Sequence, residues 1–123
     1  MTKNAGLNND LDIAFSFEYS LTSLAGASDA VRLQLDWWVI GAGQAPNIAS
    51  PTGTQSVDLS VASVAGNVLA ESPDATFTVP KADFAGTGTE QRIVFRLTRH
   101  ITGAPVNYVA GSFDLIALIP ALV

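Results

Sequence analysis

Residues 31–40 read Val31-Arg32-Leu33-Gln34-Leu35-Asp36-Trp37-Trp38-Val39-Ile40. Val31, Leu33, Leu35, Trp37 and Val39 recur at every second position, with Arg32, Gln34, Asp36, Trp38 and Ile40 between them. Successive side chains of a strand point to opposite faces. The stretch is therefore a strand with one apolar face. Its second face starts polar and ends apolar, at Trp38 and Ile40, which predicts cover on both sides at that end.

The same period runs outward in both directions. Upstream, Ile13, Phe15, Phe17 and Tyr19 alternate with Ser16, Glu18 and Ser20. Downstream, Val57, Leu59 and Val61 oppose Ser56, Asp58 and Ser60, and Ala75, Phe77 and Val79 lead to a stop at Pro80. Ile93, Phe95 and Leu97 oppose Arg92, Val94, Arg96 and Thr98. Residues 68–70 suggest a further short strand, and 106–119 the last strand region. Gly111 within it predicts a bulge or a close backbone approach. The connections are turn-rich: 21–30, the Gly/Pro loop 41–53, 65–67, 72–74, a helical turn at 81–84, then 86–88 and 103–105. No window of twelve residues shows helical spacing. Six to eight short strands in such punctuation predict an all-β fold, an antiparallel β-sandwich or barrel. Uneven loops and a long final strand point to a sandwich of the jelly-roll type. Residues 1–10 read as an N-terminal arm and 11–123 as a single β-sandwich domain.

Composition narrows the function. Of 123 residues, 48% are apolar and 14% charged, against about 25% charged in an ordinary domain. That balance is the opposite of disorder. Six Lys and Arg against eleven Asp and Glu argue against a nucleic-acid partner, which calls for a basic stripe. Cysteine is absent, so disulfides and thiol chemistry are excluded. The opening Met1-Thr2-Lys3-Asn4-Ala5-Gly6-Leu7 lacks the apolar core of a secretory signal. The longest apolar stretch, Leu115 to Val123, is interrupted by Pro120, and a membrane helix needs about 20 such residues. No membrane contact is expected, and the apolar surplus belongs in a core or in contacts between chains.

Residues able to do chemistry are sparse. His100 is the only imidazole, and catalysis needs a partner in reach; a surface or interface histidine is the simpler reading. Asn8, Asn9, Asp10 and Asp12 offer oxygens to a hard cation, without the spacing of a calcium loop. Glu18 and Asp36 are the conceivable glycosidase-like carboxylate pair, but both fall on polar strand faces. The glycine loops lack the helix and lysine of a phosphate loop. No catalytic residue, metal or cofactor is expected. Arg92 and Arg96 share a strand face and Arg99 has the opposite parity. They are either contacts to acidic residues of a neighbouring subunit or an ordinary solvated face paired within the chain. Trp37 and Trp38 cannot fill the same core. Trp37 joins Leu33 and Leu35, and Trp38 lies under a loop or at a contact between chains.

The order of segments carries a resemblance. The 31–38 strand is followed by a Gly/Pro loop and a Thr/Ser/Val strand. Then come Phe77-Thr78-Val79-Pro80-Lys81-Ala82-Asp83-Phe84, Ile93-Val94-Phe95-Arg96-Leu97-Thr98-Arg99 and Tyr108-Val109-Ala110-Gly111-Ser112-Phe113. This succession resembles small jelly-roll domains of tailed-bacteriophage virion proteins, found as capsid decoration (cement) proteins and as fibre ends. The resemblance implies a virion structural protein, not an enzyme, made in the host cytoplasm and held on the capsid surface. Its partners would be itself, most often as a homotrimer, and the major capsid protein or other virion proteins. Contacts are then expected at Leu7 in the arm, at Trp38, Arg92, Arg96 and Arg99, and at Leu118 and Leu122 in the apolar tail. The competing expectations are a fibre or receptor-binding module for host glycan, needing exposed loop aromatics such as Phe84, and a small enzyme using His100, Glu18 or Asp36.

Overall fold

The alternating segments form eight strands in the computed structural model, which describes residues 2–3, 12–41, 43–83, 91–101 and 107–123. They are β1 (Thr2–Lys3), β2 (Ile13–Leu21), β3 (Ala30–Ile40), β4 (Gly53–Ser60), β5 (Ala70–Glu71), β6 (Phe77–Val79), β7 (Gln91–His100) and β8 (Phe113–Leu122). One sheet has the order β1-β7-β3-β4. The other is built on β2, with β5 and β6 along one edge and β8 along the other. All strand pairs are antiparallel.

The two sheets close on each other through the apolar parity of each strand. Ile13, Phe15, Phe17, Tyr19 and Leu21 of β2 meet Val31, Leu33, Leu35 and Trp37 of β3 and Ile93 of β7 in one core. Phe15 and Phe95 touch edge to face across the gap, with ring centroids 4.8 Å apart. This is an antiparallel β-sandwich, as the period-two pattern predicts.

Local chemistry moved several boundaries. Val61 is buried as expected but lies just past β4. The short strand expected at 68–70 is the pair Ala70–Glu71, and Ala75 sits in a turn at φ +52° rather than in a strand. The helical turn before Phe84 is a single 3-10 turn, Lys81–Asp83. The last strand begins at Phe113, not near 106, because Tyr108 serves as a plug between loops. It is fully buried, its hydroxyl donates to the Ser23 carbonyl at 2.8 Å, and its own N–H donates to the Ala30 carbonyl. Gly111 allows the close approach this requires, since a Cβ there would lie 2.3 Å from Thr22 Oγ1. The bulge falls elsewhere, between the partners of Glu18 and Tyr19, where Ile116 is the extra residue. Within the 1–10 arm, Thr2 and Lys3 add a strand beside Arg92 and Gln91; the arm's other residues, Phe84 and the turns expected at 86–88 and 103–105 lie outside the described residues.

Candidate functional site

The polar face of the β3 sheet is organised around one carboxylate. Asp36 is 1% exposed. Its Oδ1 accepts from Gln34 Nε2 at 2.8 Å and Thr54 Oγ1 at 2.7 Å, and its Oδ2 from Arg96 Nη2 at 2.8 Å and Nε at 3.1 Å. Burial alone pushes this carboxyl up, but the bonds from Thr54, Gln34 and Arg96 outweigh it and hold it below the usual carboxylate range. Gln34 Oε1 in turn accepts from His100 Nε2 at 2.9 Å. Every acceptor site of Asp36 is thus answered by the chain itself, which makes this network a clamp across β3, β4 and β7. Glu18 belongs to the outer face of the other sheet, so the two carboxylates never share a cleft.

The expected contact residues fall in different places. Trp38 is 3% exposed and lies under the 43–52 loop, its Nε1 donating to the Asn47 carbonyl at 2.6 Å. The Arg96 guanidinium stacks over its ring at 5.2 Å. Trp38 is therefore loop-covered rather than turned toward a neighbour, and Arg96 is paired within the chain. Arg99, on the core parity opposite Leu33, donates to the Tyr108 carbonyl and sits over that ring. Arg92 is exposed opposite Ile40 and has no ion pair among the described residues. Leu118 lies in β8 opposite Phe17, partly exposed, and Leu122 lies opposite Ile13. Leu7 lies outside the described residues.

The sequence reading placed contacts on the apolar tail at Leu118 and Leu122; what it missed is that the bare aliphatic surface starts earlier, at Leu115, and gathers a second time in the loops. Apart from Ile48, the exposed large apolar residues fall in two groups. Leu115, Ile116, Leu118 and Ile119 with Val123 form the first, along β8 and just past it. Leu24, Val68, Leu69, Ile101 and Val109 form the second, in the loops at one pole, where β2, β4 and β7 end and β3 and β8 begin. Those loops are tied together by Tyr108 to Ser23, Ala25 to Val64 and Asn67 to Leu21. A scattered Leu on a surface means nothing, but gathered ones mark contact surfaces. The signal lay in β8 itself, which is apolar on both parities. Such a strand is normally buried on both faces, and only the sheet order shows that it sits at an edge. Comparison with protein-family models, with curated proteins and with solved structures finds no match.

Proposed function

We propose that this chain is a structural, adhesive protein without catalytic chemistry. Its most specific reading is a bacteriophage decoration protein of the jelly-roll type, which binds the assembled head and stabilises it. The observation that carries the proposal is the gathering of bare aliphatic side chains along β8 and at the loop pole, beside polar groups that the fold uses up in its own bonds. Bare aliphatic surface of this kind suits adhesion between proteins. The virion setting rests on the resemblance of the segment order. The glycan-binding alternative is less well served, because the exposed large apolar groups among the described residues are all aliphatic and sugar stacking calls for aromatic faces.

Adhesion of this type works by mass action. A protein that binds the assembled shell and not its separated subunits stabilises the shell by about 2.7 kcal/mol per site at a concentration 100 times Kd. The test is co-sedimentation of the purified chain with tailed-phage heads and, separately, with dissociated capsid subunits. The proposal expects saturable pelleting with heads alone. Equal binding to subunits, or none to either, contradicts it.

A further inference from the structure

Trp38 stands on the outer parity of β3, away from the core cluster, and yet is 3% exposed. What hides it is the 43–52 loop, whose Asn47 carbonyl accepts from the indole Nε1 at 2.6 Å. We propose that this loop is a strap that opens as one unit while the sandwich stays folded, with the bond from Trp38 to Asn47 as its catch. The strap decides whether the Trp38 indole meets solvent. This does not rest on the adhesive reading above.

The strap is held at its two roots and by that catch. At the first root the Gly41 N–H donates to Gln44 Oε1 at 2.9 Å, and the Gln44 N–H to the Gly41 carbonyl at 3.2 Å. At the second, the Thr52 N–H donates to the Trp37 carbonyl at 2.8 Å, and the Val39 N–H to Thr52 Oγ1 at 2.9 Å. Two further bonds stay inside the loop: the Ala49 N–H donates to Asn47 Oδ1 at 3.2 Å and the Ser50 N–H to the Asn47 carbonyl at 2.9 Å. They close a turn at 47–50 that presents the Asn47 carbonyl to the indole, and the turn moves with the strap. Among the described residues, the Trp38 bond is the only hydrogen bond that ties residues 45–51 to the sheet.

Packing adds little to that hold. No residue of 43–52 is buried, and only Pro46 and Pro51 are half-buried. Ile48, the large aliphatic side chain of the strap, keeps 61% of its surface in solvent. Few buried apolar contacts and exposed backbone bonds are the marks of a segment that opens locally, at lower cost than global unfolding. Gly43 gives the first root its freedom. It sits at φ +78° with open space around it, a conformation that glycine adopts without strain.

The floor beneath does not depend on the strap. Trp38, Val39 and Ile40 are in register with Val94, Ile93 and Arg92 of β7. Arg96 stays over the indole, because two bonds fix its guanidinium to Asp36. Opening therefore frees the indole N–H beside a held guanidinium, a tryptophan–arginine pair of the kind that anchors contacts between proteins. Closing returns that N–H to the chain's own loop.

Native-state hydrogen exchange followed by NMR tests this on the full chain. In the wild type, the protection of the Trp38 indole N–H should be at least about a hundredfold below that of the slowest β3 amides. Its rate should stay flat in urea below the unfolding transition, where theirs climbs. Val31→Ala lies in the core at the far end of β3, roughly 23 Å from Trp38 at about 3.3 Å per residue. It should speed the β3 amides at least about tenfold and leave the Trp38 indole unchanged. Gly43→Ala puts a Cβ at positive φ in the closed strap and should speed the Trp38 indole about tenfold. If Val31→Ala fails to fold, the wild-type response to urea decides. A Trp38 indole rate that climbs with urea in step with the β3 amides, follows Val31→Ala, or ignores Gly43→Ala overturns the proposal.

Discussion

Asp36 shows how much of the polar face depends on one side chain. Its carboxyl titrates lower in the folded chain than in the unfolded one. Its contribution to stability is therefore fully present above the unfolded value of about 3.9. It is lost as pH falls through the folded value. Asp36→Asn should cost about 2 kcal/mol at neutral pH and flatten the loss of stability as pH falls below the unfolded value of about 3.9, read as urea midpoints at descending pH. Asp58 is also held low, by its bond from Arg32, but that pair is solvent-washed and adds little. Gly53 is a second single-residue constraint. A Cβ there would stand 2.2 Å from the Trp37 ring, and that indole is anchored to Asp83 at 2.7 Å. Gly53→Ala should lower stability by about 2 kcal/mol through overpacking, measured by thermal melting. The opposite facing of Trp37 and Trp38, and of Arg96 and Arg99, was legible in the sequence because parity needs only one strand. The four bonds on Asp36 were not, because Gln34, Thr54 and Arg96 come together only once the register of three strands is set.

At the scale of elements, the strands with clean alternation, β2, β3 and β7, were legible nearly to their ends, while β4 was legible at its start and stops at Ser60, four residues before the alternation in the sequence does. β8 was not, for two physical reasons. Tyr108 to Ser112 look strand-like but are drawn into loop plugging by the Tyr108 hydroxyl and by Ser112, which bonds Thr22. The strand also shows no alternation that would mark an exposed side. Its safeguard is Pro120: Asp12 and Val123 exchange both backbone bonds, so in the alternation of an antiparallel ladder Phe15 and Pro120 are a non-bonded pair and the donor that proline lacks faces outward. Pro120→Thr restores that donor and lengthens the edge available for pairing. The variant should fold, keep its circular dichroism spectrum and aggregate faster than wild type, with thioflavin T fluorescence rising severalfold on incubation. Unchanged fluorescence would show that the outer edge is guarded by something other than this proline. The 43–52 loop makes a parallel case. Trp38→Ala removes the ring beneath it and the bond to Asn47, and should cost about 3 kcal/mol and speed proteolytic nicking within that loop.

For the whole molecule, the account divides the surface by chemistry. The outer face of the β3 sheet is polar and internally bonded, while the β8 edge and the loop pole are aliphatic and bare. In the decoration reading proposed above, these two bare regions are where the chain would meet the shell. Hydrogen exchange followed by mass spectrometry, on the free chain and on the chain bound to phage heads, examines this directly, peptide by peptide. The amides of Phe113, Leu115, Leu118 and Leu122 face the unbonded side of β8 in the ladder alternation. They should exchange rapidly in the free chain, and exchange in 113–122 or in the pole loops 22–29 and 61–69 should slow at least tenfold on heads, with 43–52 unchanged. Exchange that ignores the heads throughout, or slowing confined to the 43–52 loop, would contradict the claim that this chain adheres through its bare aliphatic surface.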